Sequence, residues 1–578
     1  MKPTLKLAAA LCTAILLAAC QAEQKSVTAT QPAIDAQIAQ NEGKTEAGSI
    51  VPERATAPAQ AAKMRAADRV AESPAYTYAP AAAIRLPSEP LDRENYAHFD
   101  NNPVKLASEQ PVSTFSIDVD TGSYANIRRI LNEGRLPPQD AVRIEEMVNY
   151  FAYDYQGPAS RRQPFRVTAE MAPAPWNRQK QLLQIGIKGY EVDKRQLPPA
   201  NLVFLVDVSG SMQSPDKLGL LKQSLVMLSR QLSSRDRVSL VVYAGASGVV
   251  LPPTPGNRFR TIETALNQLE AGGSTNGGAG IRLAYAMAEQ AFIKGGINRV
   301  ILATDGDFNV GTVNFEALVD LVEQKRQTGI TLTTLGFGRG NYNDQLMEQL
   351  ADKGNGNYAY IDTSNEARKV LVEEATSTLM TIAKDVKIQI EFNPAVVREY
   401  RLIGYENRVL NREDFNNDKV DAGEIGAGHT VTALYEITLA GHKGLIDPLR
   451  YGSEAAGKGS RSEIGFLRLR YKQPDAETSQ LLEYPLPVGM IKQRLSQASE
   501  DFRFAAAVAG FGALLRGGQY ADGFGYADVE HLARGALGSD RFGYRAEFLQ
   551  LVRQADQLDA REPSQRQPQP SDDGLVIE

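Results

Sequence analysis

Asp207, Ser209 and Ser211 alternate along the run Asp207-Val208-Ser209-Gly210-Ser211, directly after the apolar stretch Leu202-Val203-Phe204-Leu205-Val206. A carboxylate and two hydroxyls on a tight turn leaving a buried strand can face one hard cation while the backbone wraps around it. Alone, this spacing recurs by chance. Here two further oxygen donors follow in the order that would complete a site. Thr275 stands in the glycine-rich run Gly272-Gly273-Ser274-Thr275-Asn276-Gly277-Gly278. Asp305 follows the apolar run Val300-Ile301-Leu302-Ala303, inside Thr304-Asp305-Gly306-Asp307. A hard divalent ion such as Mg²⁺ favours six oxygens in octahedral array. Ser209, Ser211 and Thr275 offer neutral oxygens, and Asp207 and Asp305 offer charge, directly or through water.

The elements that must position these groups read as strands alternating with helices. Apolar strands are expected at Leu202–Val206, Val238–Tyr243, Arg299–Ala303 and Ile330–Leu335, with helical patterns at Leu218–Leu232, Ile281–Lys294 and Phe315–Gln327. Such alternation predicts a doubly wound, mostly parallel α/β sheet with helices on both faces. Ligands of such sheets bind beyond the carboxyl ends of the strands, where Asp207 and Asp305 fall. At these residues the chain resembles the von Willebrand factor A (VWA) domain and its metal-ion-dependent adhesion site. The resemblance implies that the Asp207–Ser211, Thr275 and Asp305 loops jointly hold one divalent ion, Mg²⁺ foremost, with Mn²⁺ or Ca²⁺ as alternatives. It also implies that an open position on that ion accepts an Asp or Glu carboxylate from a partner protein.

The flanks predict further domains, as expected for a chain of 578 residues. The VWA body is expected over residues 201–380, preceded by an α+β region at 94–200 and followed by a β-rich domain at 381–490 and a helical region at 491–560. Within the first flank, strands are expected at 165–171 and 181–188; after residue 380, alternating patterns recur at 386–392, 430–439 and 464–471. These strands are expected to build one β-sandwich into which the VWA domain is inserted, the kind of flanking seen in inter-alpha-trypsin-inhibitor heavy chains and integrin β chains. The region preceding the VWA body resembles that of a group of bacterial VWA lipoproteins.

The amino-terminal residues read as an export signal. Lys2 and Lys6 precede a short apolar run, Leu7 to Leu17, ending in Leu17-Ala18-Ala19-Cys20. That ending resembles a bacterial lipobox, which implies a signal peptide over 1–19, lipid attachment at Cys20 and residence in the cell envelope. Gln21 rather than Asp after the cysteine points, by the lipoprotein sorting rule, to the outer membrane where there is one. Residues 20–93, rich in Ala, Gln and Pro, and residues 561–578 have no core-forming pattern and are expected to be a disordered tether and tail.

Several other motifs carry no chemistry. A net charge of -6, without a basic stripe, argues against nucleic-acid binding. The run Gly452-Ser453-Glu454-Ala455-Ala456-Gly457-Lys458-Gly459 lacks the hydroxyl that follows the lysine of a phosphate-binding loop. In Gly336-Phe337-Gly338-Arg339-Gly340 the third glycine comes one position early for a dinucleotide fingerprint. Asp414, Asn416 and Asp418 evoke a calcium loop, but Lys419 stands where its glycine belongs. Asp118 and Asp120 are expected to flank a turn rather than bind metal, and Asp307 to be a solvated loop residue. With four scattered histidines and no nucleophile turn, a binding protein is expected rather than an enzyme. A metal-stapled envelope scaffold and, further off, a metal-dependent hydrolase are the alternatives.

Overall fold

Ala200–Asp207 is buried along its whole length. A strand covered on both faces reads as an unbroken apolar run, which is why this segment stands out in the sequence. Leu202, Phe204 and Val206 enter one apolar layer, while Val203 and Leu205 enter the layer on the opposite face. The computed structural model describes residues 94–306, 315–340, 342–447 and 461–561.

Around this strand lies a six-stranded sheet, ordered Tyr358–Ile361, Thr331–Phe337, Ile297–Thr304, Ala200–Asp207, Arg237–Tyr243 and Ser247–Pro255. All neighbours are parallel except the last pair, which is antiparallel. Helices Leu220–Ser229 and Phe259–Asn267 supply apolar side chains to one face. Gly277–Gln290, Phe315–Gln327 and Asp344–Lys353 cover the other. The chain starts in the middle of the sheet, runs to one edge, and returns to build the other half from Ile297–Thr304 outward. The order therefore reverses between Ala200–Asp207 and Ile297–Thr304, and the ends of these strands form the crevice where such sheets bind ligands.

Two antiparallel sheets flank this domain. One has the order Lys105–Leu106, Val397–Ile403, Thr430–Leu439, Gln181–Gly189 and Phe165–Pro173. The other joins Ile425–Gly426, Thr381–Phe392, Glu463–Lys472 and Gln480–Pro487, with Val112–Ser116 paired to Thr381–Phe392. Their inner faces share one apolar core, with Phe115, Ile185, Ile388, Tyr435 and Leu467 among its members. Strands from before and after the central sheet thus pair with one another: Gln181–Gly189 lies against Thr430–Leu439. The six-stranded domain is inserted in a β-sandwich.

Two helices, Gly122–Asn132 and Ile144–Asn149, lie in the first flank. They pack with the carboxy-terminal helices Glu500–Leu515, Tyr526–Arg534 and Tyr544–Asp559 in one core that holds Tyr124, Met147, Phe151, Phe504, Phe511 and Phe548. Phe502, Phe504, Val508 and Phe511 are buried there, and Leu514 packs against the same core partly buried. Among the described residues no helix is long and apolar enough to cross a membrane.

Candidate metal centre

Asp207 ends its strand with a carboxylate that is fully buried. Oδ1 accepts the Ser209 backbone N–H at 2.8 Å, and Oδ2 accepts the Thr304 hydroxyl at 2.9 Å and the Tyr243 hydroxyl at 3.2 Å. Among the described residues no lysine or arginine forms an ion pair with it. Burial pushes the Asp207 carboxyl above the usual carboxylate range; the Ser209 hydrogen bonds oppose this, and the nearby Asp305 charge adds to it. A buried carboxylate without a cation is costly, and a cation would offset that cost.

The two serine hydroxyls converge. Ser209 Oγ and Ser211 Oγ lie 3.0 Å apart on the loop that leaves the strand, with Ser209 buried and Ser211 partly exposed. The glycine-rich loop docks against this one through two backbone hydrogen bonds: Gly210 N–H donates to Gly273 O at 3.0 Å, and Gly272 N–H donates to Val208 O at 2.8 Å. Thr275 is thereby brought to the same end of the sheet, partly exposed, immediately before Asn276. Asn276 caps Gly277–Gln290 by accepting the Ala279 N–H, and this fixes where the loop stops. Gly280, on that helix, lets it approach the neighbouring strand: a Cβ there would lie 2.8 Å from Tyr243 Cβ. The same Tyr243 supplies a hydroxyl to Asp207.

Asp305, buried like Asp207, lies one residue beyond Ile297–Thr304. Its Oδ2 accepts from Lys217 Nζ at 2.8 Å. Lys217 lies on a single wide π-turn, Pro215–Gly219, at the start of the Leu220–Ser229 helix, and is buried. Such turns recur at functional sites, where they re-aim a side chain. Gly338, at φ +74°, makes room for the lysine stem: a Cβ there would meet Lys217 Cγ at 2.3 Å. Lys217, Thr304 and Tyr243 were not legible as site residues. The pattern Asp-x-Ser-x-Ser names the loop, but nothing in the sequence says which distant side chains reach into it.

The loops that carry the five expected residues therefore meet at one pole: Ser209 bonds to Asp207 and its hydroxyl to that of Ser211, Thr304 ties the loop of Asp305 to Asp207, and the backbone bonds of Gly272 and Gly273 dock the loop of Thr275. Among the described residues no three His, Cys, Asp or Glu side chains cluster in a way that would hold a metal ion. The donor set here is instead two carboxylates with three hydroxyls, suited to a hard ion with few anionic ligands. Asp307 and the run 452–459 lie outside the described residues, as does Cys20.

The remaining motifs resolve as structure. Lys387 Nζ donates to the carbonyls of Asp414 and Asn417 at 3.1 and 2.6 Å, and Lys472 Nζ to that of Asp418 at 2.7 Å. Two ammonium groups thus occupy the loop that evoked calcium. Asp118 Oδ1 accepts the Asp120 N–H at 2.9 Å in a local turn, and both aspartates are buried beside Arg408.

The mostly parallel six-stranded sheet, its order reversing at these loops, is the body of a VWA domain. The chain matches the von Willebrand factor type A domain family over residues 201–375, a von Willebrand factor family over 90–184, and the family described as "Uncharacterized protein YfbK, C-terminal" over 377–558. It is 48% identical over 496 residues to "Uncharacterized protein YfbK" of Escherichia coli (strain K12), covering 84% of this chain and 85% of that protein. The chain belongs to the YfbK family. It is also 25% identical over 264 residues to human inter-alpha-trypsin inhibitor heavy chain H3, covering 42% of this chain and 29% of that one. Among solved structures, a von Willebrand factor type A protein from Catenulispora acidiphila covers 68% of this chain and 89% of its own, at 16% identity and a TM-score of 0.38.

Proposed function

We propose that the protein is an envelope-anchored binding module that holds a divalent cation at the Asp207–Asp305 pole and, through it, a carboxylate of a protein partner. The observation that carries this reading is the convergence of two hydroxyls, Ser209 Oγ and Ser211 Oγ, beside a buried carboxylate that has no cation of its own among the described residues. Ser209, Ser211 and Thr275 would hold the ion directly, while Asp207 and Asp305 would supply its charge complement. Mg²⁺ is the ion of choice because the donors are hard oxygens.

A shell rich in neutral hydroxyls leaves positive charge on a bound ion for an incoming Asp or Glu, so such a site binds anions rather than merely closing its own loops. In this reading the lipidated Cys20 holds the module to a membrane, residues 21–93 give it reach, and the protein acts by binding rather than by catalysis. A crosslinking pull-down from envelope fractions, run in parallel with Mg²⁺ and with chelator, tests it. Partners captured with Mg²⁺ and lost with chelator are the expected result. An identical set under both conditions would mean that the protein acts through its other surfaces, as a scaffold.

A further inference from the structure

Arg299 is a buried guanidinium in an apolar layer. It lies on Ile297–Thr304, 2% exposed, on the face that also carries Ile301. Its Nη1 donates to Thr333 Oγ1 at 2.9 Å and to the Thr378 carbonyl at 2.6 Å. Among the described residues no carboxylate lies within ion-pair distance of it, the Glu424 charge acts on it only from farther off, and its buried Nε has no hydrogen-bond partner. A buried charge left without a counter-charge in direct contact is costly.

Arg299 also lines a cavity of about 30 Å³. That is room for a group about the size of one or two waters or a chloride ion. A second unpartnered polar atom lies on the same wall system: His429 Nδ1, buried and without a hydrogen-bond partner. Burial, with Lys369 and Lys188 nearby, lowers the His429 pKa to about 4, so at neutral pH the ring is uncharged and offers one N–H. Thr121 and Asn357 complete the polar lining. Glu374 is the one carboxylate on the wall, and its Oε1 is engaged by Lys369 Nζ at 2.7 Å.

We propose that this cavity binds a single small monovalent anion of the chloride class, held by Arg299 Nε with His429 Nδ1–H as the second donor. The site sits at a seam. Arg299 belongs to the central sheet, whereas His429 precedes the sandwich strand Thr430–Leu439 and its carbonyl accepts the Gly189 N–H at 2.9 Å. An anion there supplies a counter-charge in direct contact and ties the inserted domain to its host, a role separate from the Asp207 pole.

Melting curves of the full chain in sodium chloride and in sodium gluconate, at matched ionic strength and pH, test the proposal. Binding to the folded state alone predicts a saturable rise in Tm of about 2 °C or more in chloride. Arg299→Met should lose that rise, and His429→Phe should reduce it. Crystals of the wild-type protein grown in bromide should show an anomalous peak within hydrogen-bond reach of Arg299 Nε, which keeps the test independent of whether either variant folds. Equal Tm in the two salts, a chloride response undiminished in Arg299→Met, or a bromide-free cavity would each overturn the proposal and leave a water-filled void.

Discussion

Asp207 and Asp305 end neighbouring strands of one sheet yet have different surroundings. Asp207 is held by a backbone N–H and two hydroxyls, and Asp305 by the Lys217 ammonium. Lys217 is thus a resident cation beside the proposed ion, and at an effective dielectric near 20 a unit charge several ångströms away is worth kilocalories. Lys217→Met should therefore tighten Mg²⁺ binding by about tenfold or more. Titration calorimetry would check it, and unchanged or weaker binding would show that the lysine supports the site rather than opposing the ion. The five oxygen donors were legible because their types and spacing constrain one another along the chain. Lys217 was not: its relation to Asp305 spans 88 residues and depends on a π-turn that no local pattern announces.

Among the elements, the helix Gly122–Asn132 binds the central sheet to the flanks through Arg128. This side chain is 3% exposed. It donates to Asp362 at 2.5 Å and Glu366 at 2.7 Å from the central domain, to Tyr150 OH at 2.9 Å, and to Glu547 of the last helix at 3.0 Å. Removing one member of a buried ionic set strands the others without compensation. Arg128→Ala should destabilise the protein by about 3–5 kcal/mol in urea unfolding. Arg553→Ala, which breaks an exposed pair with Glu530, should cost under about 1 kcal/mol. Equal effects would show that the Arg128 cluster contributes no more than a surface pair. The helix itself follows from its sequence pattern, whereas the burial of Arg128 does not, since an arginine on an amphipathic helix ordinarily points to water. Partners 234, 238 and 419 residues away make it an interior residue.

For the whole molecule, both sheets of the sandwich draw strands from before and after the insert. Val112–Ser116 pairs with Thr381–Phe392 across the entire VWA domain. The alternating patterns at 165–188 and after residue 380 announced the strands and their shared face. The pairing of Val112–Ser116, and the single helical core made from 122–151 and 500–559, lay beyond local pattern because both are set by packing between distant segments. At this scale the anchor is the prediction. Cys20→Ser should leave a protein that takes up no radiolabelled palmitate and leaves the membrane fraction. Undiminished label or membrane partition would contradict lipid attachment at that residue.

The central claim is that the Asp207 pole binds a divalent ion, and titration calorimetry of Mg²⁺ into wild type, Thr275→Ala and Asp207→Ala tests it most directly. Asp207 is the principal anionic group, and Thr275 contributes one neutral oxygen from a docked loop. Both lie at the carboxyl end of the central strands, outside the apolar layers, so neither change should collapse the core. Wild type should bind Mg²⁺ and gain thermal stability from it, Thr275→Ala should do so less, and Asp207→Ala should show little of either. Equal Mg²⁺ responses in wild type and Asp207→Ala would contradict the account and place the metal site elsewhere.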